Sequence, residues 1–348
     1  MPETMKAAVL HGVEDLRIDR LPVPSLASPY DVIVRIRQVG VCGSDIHYYR
    51  HGRIGHFVVE EPMILGHECA GEVVEVGKKV SALAPGDRVA LEPGVPCRRC
   101  ELCHEGRYNL CPDVVFFATP PVDGAFCEYV TSPADFAFRL PEHVSTEEGA
   151  IMEPLAVGMW STHRAGVSAG DTVAVLGAGP IGLVTLQAAK ARGATTLIIT
   201  DVEQSRLEFA GRLGATHTLN AGQCDVVEAI REITDGRGAD AVLDAAGASQ
   251  TIGQALRAVK SGGRVILIGI PPEDEVPVSM PDLISRELDV GGIFRYANMY
   301  GRAIAAVAAG LIDVKGMITH HYQLDEAEEA LVFADEHKSE CIKVAVSV

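Results

Sequence analysis

Between the strand-like run Thr172-Val-Ala-Val-Leu176 and a helix-forming stretch that ends near Arg192, the chain places Gly177-Ala178-Gly179-Pro180-Ile181-Gly182. A G-x-G-x-x-G is weak evidence alone. Here it follows a strand, opens a helix, and is answered by Asp201, nineteen residues past Gly182, at the end of the next strand-like run, Thr196-Leu-Ile-Ile-Thr200. The glycines permit a tight turn, close approach to a pyrophosphate and close helix packing, and the helix N-terminus stabilises phosphate charge. Asp201 can accept hydrogen bonds from the hydroxyls of an adenosine ribose. Further strand patterns lie near His217, at Ala241-Val-Leu-Asp244, at Arg264-Val-Ile-Leu-Ile268 and at Leu288-Asp-Val-Gly-Gly-Ile293, with helical stretches between them. Six strands with interleaved helices predict a doubly wound parallel sheet that binds a dinucleotide.

The first 92 residues have a different texture. Lys6-Ala-Ala-Val-Leu10, Asp31-Val-Ile-Val-Arg-Ile-Arg37, Ala70-Gly-Glu-Val-Val-Glu-Val76 and Asp87-Arg-Val-Ala-Leu91 read as short strands separated by Gly and Pro turns, an all-β portion. Within it Cys42 sits where a strand ends, and Gly66-His67-Glu68 precedes another. Thiolate, imidazole and carboxylate are the ligand types zinc takes, and a catalytic zinc keeps one position open. A buried free Cys and an unrelated His-Glu pair are the alternative.

Cys97, Cys100, Cys103 and Cys111 fall within fifteen residues. A C-x₂-C turn lets two thiolates meet one tetrahedral ion, and four thiolates close its shell, so this site is structural. Four unligated loop thiols, or an iron–sulfur cluster, are the competing readings. Past Gly149, Glu153-Pro-Leu-Ala-Val-Gly-Met-Trp-Ser-Thr-His163 reads as a helix with Pro154 tolerated in its first turn. The tail from about 295 holds two helices, the second from Asp325 to Asp335, and a strand at Cys341-Ile-Lys-Val-Ala-Val346, expected to pack back onto the β-rich portion.

A length of 348 residues suits two domains, and 47% apolar residues exclude a disordered chain. A net charge of −17 opposes a nucleic-acid or anionic-membrane partner. No apolar run is long enough to span a bilayer, and the start runs directly into a strand pattern with no signal-peptide layout, so a cytoplasmic location is expected. Nine cysteines is an odd count, and in a reducing compartment their clustering argues for metal over disulfides.

With Gly40-Val-Cys42-Gly-Ser-Asp-Ile-His-Tyr-Tyr49 and Gly66-His-Glu68-Cys-Ala-Gly71, the chain resembles the zinc-containing medium-chain dehydrogenases. His47-Tyr48-Tyr49, His51-Gly-Arg-Ile-Gly55 and Phe294-Arg295-Tyr296 resemble the sorbitol and xylitol (polyol) dehydrogenase branch, over roughly residue 5 to the C-terminus. The resemblance implies an α/β fold: a GroES-like, β-rich catalytic domain at 1–155 and 295–348, and a Rossmann NAD-binding domain at 156–294. It implies NAD and two zinc ions per chain, a structural one on the four cysteines and a catalytic one on Cys42, His67 and Glu68. Glu153 would stand near the catalytic ion, either touching it directly or through water; which glutamate is the third ligand stays open. Alcohol dehydrogenases have two Cys and one His in this site, so the carboxylate makes a harder, wetter zinc that suits a hydroxyl-rich substrate.

Zinc lowers the pKa of bound water from about 15.7 to about 7, and a comparable shift on a bound alcohol lets its carbon release hydride to nicotinamide C4. By the same resemblance Ser44 is the first proton relay, and Tyr48, Glu153, Arg295 and Tyr296 surround the remaining hydroxyls. Gly177, Gly179, Pro180, Ile181, Gly182, Asp201, Arg206, Ile268, Gly269, Ile270, Ile293 and Phe294 line the nucleotide. Arg206 is expected against the adenine or paired with Asp201. The implied activity is reversible NAD-dependent oxidation of a secondary hydroxyl of sorbitol, xylitol or a related polyol to the ketose, in a homotetramer. Threonine or butanediol dehydrogenase on the same scaffold, and a catalytically silent nucleotide- or metal-binding protein, are the alternatives. His47, His51 and His56 read as cleft or surface histidines; Cys69, Cys127, Cys224 and Cys341 read as small core residues.

Overall fold

The computed structural model describes residues 1–348 and divides into two compact units. The first comprises Met1–Glu153, Tyr300–Ala308 and Val314–Val348; the second comprises Pro154–Met299 and Ala309–Asp313.

The first unit is built on a seven-stranded sheet in which Glu68–Val76, Asp31–Gly40 and the C-terminal Lys343–Ser347 lie side by side, Arg88–Leu91 flanking on one side and Ile318–Gln323 on the other. The central pairings are antiparallel, and their register sets Gly40 opposite Glu68 on one side and Ala345 on the other. Alternating Val and Ile on these strands bury fully, with Val32, Val34, Ile36 and Val39 inaccessible to solvent. The tail thus joins the β-rich portion as a strand of its main sheet.

The run expected to be nearly all strand contains a helix, Gly43–His51, that periodicity does not reveal. Ser-Asp-Ile-His-Tyr-Tyr-Arg carries no apolar stripe. Its ends are set instead by caps: Asp45 accepts from the Cys42 amide at 3.0 Å, and Gly52 terminates it with φ of 66°. Tyr49 donates to Glu328, and Arg50 pairs with Asp335 and Glu336 on the helix Ala327–Glu336, which holds the segment down.

The second unit is a six-stranded parallel sheet in the order His217–Asn220, Thr196–Asp201, Thr172–Leu176, Ala239–Asp244, Val259–Leu267, Asp289–Gly292. Numbered along the chain this is 3-2-1-4-5-6, the doubly wound arrangement, whose order reverses at the first strand, Thr172–Leu176. The glycine motif lies at the carboxyl end of that strand. Gly177 has φ of 98°, and a Cβ on Gly182 would collide with the Gly177 carbonyl, so the turn closes only with glycine at both positions. Gly179 caps the helix Pro180–Ala191, with Pro180 in its first position.

A charge cluster ties the opposite end of this sheet together. Asp240 accepts from Arg237, from Lys260 and from the Thr172 amide. Burial pushes Asp240 up, but these three partners outweigh it and bring the carboxyl to about 2. A carboxylate with a lower pKa folded than unfolded stabilises the fold above about pH 4 and loses that contribution as the pH falls toward 2. After screening by solvent this amounts to about 1–2 kcal/mol. Asp240→Asn is therefore expected to lower stability by that amount at pH 7 and by almost nothing at pH 2, read by urea unfolding at both.

Candidate active site: a three-ligand cluster, a four-thiol lobe and a glycine-rich cleft

Cys42 caps the helix Gly43–His51, and Glu68 opens the strand Glu68–Val76 directly after His67. These two element ends bring a sulfur, an imidazole nitrogen and a carboxylate oxygen within 4.8 Å of one another. His67 and Glu68 are buried at 6% and 1% exposure, whereas Cys42 is half-buried, so the cluster has one open side. Glu153, also buried, lies outside this set.

Three side chains shape the cluster, and sequence reasoning gave none of them a role. Asp45, fully buried, accepts from the amides of Cys42 and Gly66 and lies 3.6 Å from His67 Nδ1, which leaves Nε2 as the nitrogen available to a metal. Burial disfavours an imidazolium at His67, yet Asp45 and Cys42 outweigh it and hold His67 well above its ordinary range. A donor set that draws positive charge to a buried place in this way fits a divalent cation. Lys343, 3% exposed, donates to the Glu68 carboxylate at 2.6 Å and to the Val41 carbonyl at 2.8 Å. Burial lowers the Lys343 ammonium, but Glu68 foremost, then Cys42, raises it above its ordinary value. Phe116 packs its ring 5.7 Å from that of His67. Asp45 had a signal, its capping position three residues after Cys42. So had Lys343, a lone charge in a run of buried strand residues.

Ser44 is half-buried in the first turn of the Cys42 helix, and Tyr48 is buried four residues on. Arg295, half-buried, and Tyr296, buried, belong to the second unit.

In the lobe, one sulfur atom from each of Cys97, Cys100, Cys103 and Cys111 lies within 4.8 Å of the others. Cys100 and Cys103 approach to 3.4 Å and the Cys97 amide donates to Cys111 Sγ, while all nine cysteines are free thiols. The amides of Arg99 and Cys100, the first foremost, bring Cys97 down to about 6, which favours a thiolate. Four sulfurs at these separations fit a closed tetrahedral ion. Of the scattered cysteines, Cys69, Cys127 and Cys341 are buried, but Cys224 is exposed, because it follows the strand His217–Asn220 in a surface turn.

The second unit holds a cleft of about 440 Å³ at the carboxyl end of its sheet. Gly177, Gly179, Asp201 and Arg206 line it as the sequence implies, joined by Ala246, Thr251 and Gln254. Ile268 and Gly269 donate their amides to the Asp244 carbonyl, Ile293 donates to the Leu267 carbonyl, and Ile270 and Phe294 are exposed. Asp201 accepts from the Ala178 amide at 2.7 Å and the Glu203 amide at 2.9 Å, so its carboxylate is fixed beside the glycine turn. It makes no ion pair with Arg206, contrary to one of the two expected placements; amides already hold the carboxylate in place.

Residues 28–142 match the family model for the alcohol dehydrogenase GroES-like domain, and residues 180–309 match that for zinc-binding dehydrogenases. The sorbitol dehydrogenase of Bacillus subtilis (strain 168) is 47% identical over 346 residues, covering 99% of this chain and 98% of that protein. A protein of Aspergillus clavatus named "Probable D-xylulose reductase A" is 43% identical over 92% of this chain and 91% of its own. Among solved structures, an Escherichia coli oxidoreductase/dehydrogenase of unknown specificity superposes with a TM-score of 0.95 at 38% identity, covering 99% of both chains. The three-ligand cluster, the four-thiol lobe, the glycine-rich cleft and these relationships together place the chain in the zinc-containing medium-chain dehydrogenase family, on its polyol dehydrogenase branch.

Proposed function

We propose that this protein oxidises a secondary hydroxyl of sorbitol, xylitol or a related polyol to the ketose, reversibly, with NAD as hydride acceptor. The observation that carries this reading is the convergence of Cys42, His67 and Glu68 within 4.8 Å, in a chain whose relatives include a sorbitol dehydrogenase. Those three residues would hold a catalytic zinc, and the four cysteines a structural one. When bound at the first site, zinc supplies Lewis acidity that lowers the pKa of a hydroxyl it touches. Asp45 fixes the His67 ring, and Lys343 offsets the Glu68 charge. Ser44, two residues past Cys42, takes the hydroxyl proton. Tyr48 and Glu153 serve the remaining hydroxyls. Gly177, Gly179, Pro180, Ile181 and Gly182 present the pyrophosphate to a helix N-terminus. NADH formation on a panel of sorbitol, xylitol, butanediol, threonine and ethanol tests the assignment. Polyols should be the best substrates, and turnover of ethanol or butanediol at polyol rates would overturn it.

Cofactor choice rests on Asp201. A carboxylate held by two amides accepts the free ribose hydroxyls and repels a 2′-phosphate. At about 5 Å and an effective dielectric near 20 that repulsion is about 3 kcal/mol per unit charge before salt screening. Half of it disfavours NADP by about ten-fold. Replacing Asp201 with Ala and Val202 with Arg together should narrow the kcat/KM ratio of NAD to NADP by at least about ten-fold. Equal use of both cofactors by the wild type would remove Asp201 from the ribose.

We further place the protein in the cytoplasm, where a reducing environment keeps the lobe thiols available to metal, and propose a homotetramer. No helix is long and apolar enough to cross a membrane. The edge strand Asp289–Gly292 leaves Val290 exposed, and the nearby helix Met280–Ser285 exposes Met280 and Ile284, an uncovered edge suited to a second copy.

A further inference from the structure

The four-cysteine lobe is a loop closed by a two-rung hairpin. Gly94–Val95 pairs antiparallel with Val115–Phe116, Gly94 opposite Phe116, and the four thiols lie between the two arms. The far arm ends in the residue that touches the other cluster: Phe116, 7% exposed, lies with its ring against His67, inclined at 51°. The near arm leaves room for that ring only because it carries glycine. A Cβ at Gly94 would stand 2.9 Å from Phe116 Cδ2, closer than two carbons tolerate. A second tie reaches the same stem. Tyr108, between Cys103 and Cys111, donates to Glu92 at 2.6 Å, two residues ahead of Gly94, and its ring meets Phe136, whose carbonyl accepts from the Glu92 amide. Glu92 is 2% exposed; burial, with Glu153 adding, pushes it up to about 7, so the Tyr108 hydroxyl is a needed partner for a costly buried acid.

We propose that the lobe positions the catalytic ligand His67: an ion on the four thiols holds the hairpin stem, and the stem, through Gly94 and Phe116, fixes the tilt of the His67 ring. Asp45 anchors that ring from its Nδ1 side and Phe116 leans against it with its own ring tilted at 51°, so both constraints are needed to aim one nitrogen at an ion. Phe116 and Gly94 are positioning residues; neither is asked to touch substrate. The inference rests on the reading of Cys42, His67 and Glu68 as a metal centre.

The test uses full-length protein and Zn²⁺ itself, with stoichiometry and affinity measured by chelator competition on wild type, Cys103→Ser, Gly94→Ala and Phe116→Leu, each checked for an intact fold by circular dichroism. Wild type should bind two ions. Cys103→Ser should lose one and hold the other at least about ten-fold more weakly, and Gly94→Ala should weaken the same site by about as much, the range typical of groups that orient a metal ligand. Combining Cys103→Ser with Phe116→Leu should weaken it no more than Phe116→Leu alone, since both act through one contact. If wild type binds two ions and the remaining ion stays at wild-type affinity in Cys103→Ser and Gly94→Ala, while only the melting temperature of Cys103→Ser falls, the positioning role is overturned. If wild type binds a single ion that Cys103→Ser abolishes, the reading of the Cys42 centre fails and the inference falls with it.

Discussion

His67→Ala is expected to reduce kcat on any polyol by about a thousand-fold or more, because the Lewis acidity that lowers a hydroxyl pKa by several units depends on this ligand. Cys42→Ser should do the same, since a hydroxyl replaces a thiolate in a three-ligand set. Neither change should alter NADH affinity by more than about two-fold, a difference of about 0.4 kcal/mol. The cleft that would take the nucleotide is lined by residues between Gly177 and Gln254, and none of them comes from the cluster. The two quantities separate in one experiment: steady-state rates on sorbitol, and a fluorescence titration with NADH. Zinc content of the purified variants completes it, with one equivalent remaining on the four cysteines. Wild-type turnover by His67→Ala would show that the cluster is not catalytic. Loss of NADH binding together with activity would point to general unfolding.

What could be read in the sequence was the chemistry whose residues are close along the chain. The glycine turn, Pro180 and the thiol spacing at Cys97–Cys111 each declare themselves within fifteen residues or fewer, because turn geometry and tetrahedral ligation are local demands. The parallel sheet was legible from strands alternating with helices. The helix Gly43–His51 was not, because its burial comes from partners such as Glu328 and Asp335 that lie some 280 positions away. Lys343 escaped for the same reason: its carboxylate partner is 275 residues earlier. The packing of Phe116 on His67 depends on where a two-residue hairpin folds, and no periodicity encodes that. Asp201 was identified, but its two amide partners, which fix the carboxylate beside the glycine turn, were not.

Lys343→Met should destabilise the metal-free protein by about 3–5 kcal/mol, the cost of leaving one member of a buried ion pair without its partner. Glu68 is 1% exposed and Lys343 3%, so water cannot replace the lost ammonium. Methionine keeps the volume of the lysine stem, and the loss therefore reports on charge instead of packing. The effect should depend on metal, which is what distinguishes this pair from an ordinary buried ion pair. An ion held by Cys42, His67 and Glu68 gives the carboxylate a second cationic partner, so zinc should narrow the gap between variant and wild type. Chelation should widen it. A paired change, Glu68→Gln with Lys343→Met, removes both charges and should recover much of the stability while still failing to restore turnover. Denaturant unfolding of the three proteins, with zinc and with chelator, decides the matter. A loss below about 1 kcal/mol in chelator would mean that the buried Glu68–Lys343 pair contributes little to stability and that Lys343 is not the partner Glu68 depends on.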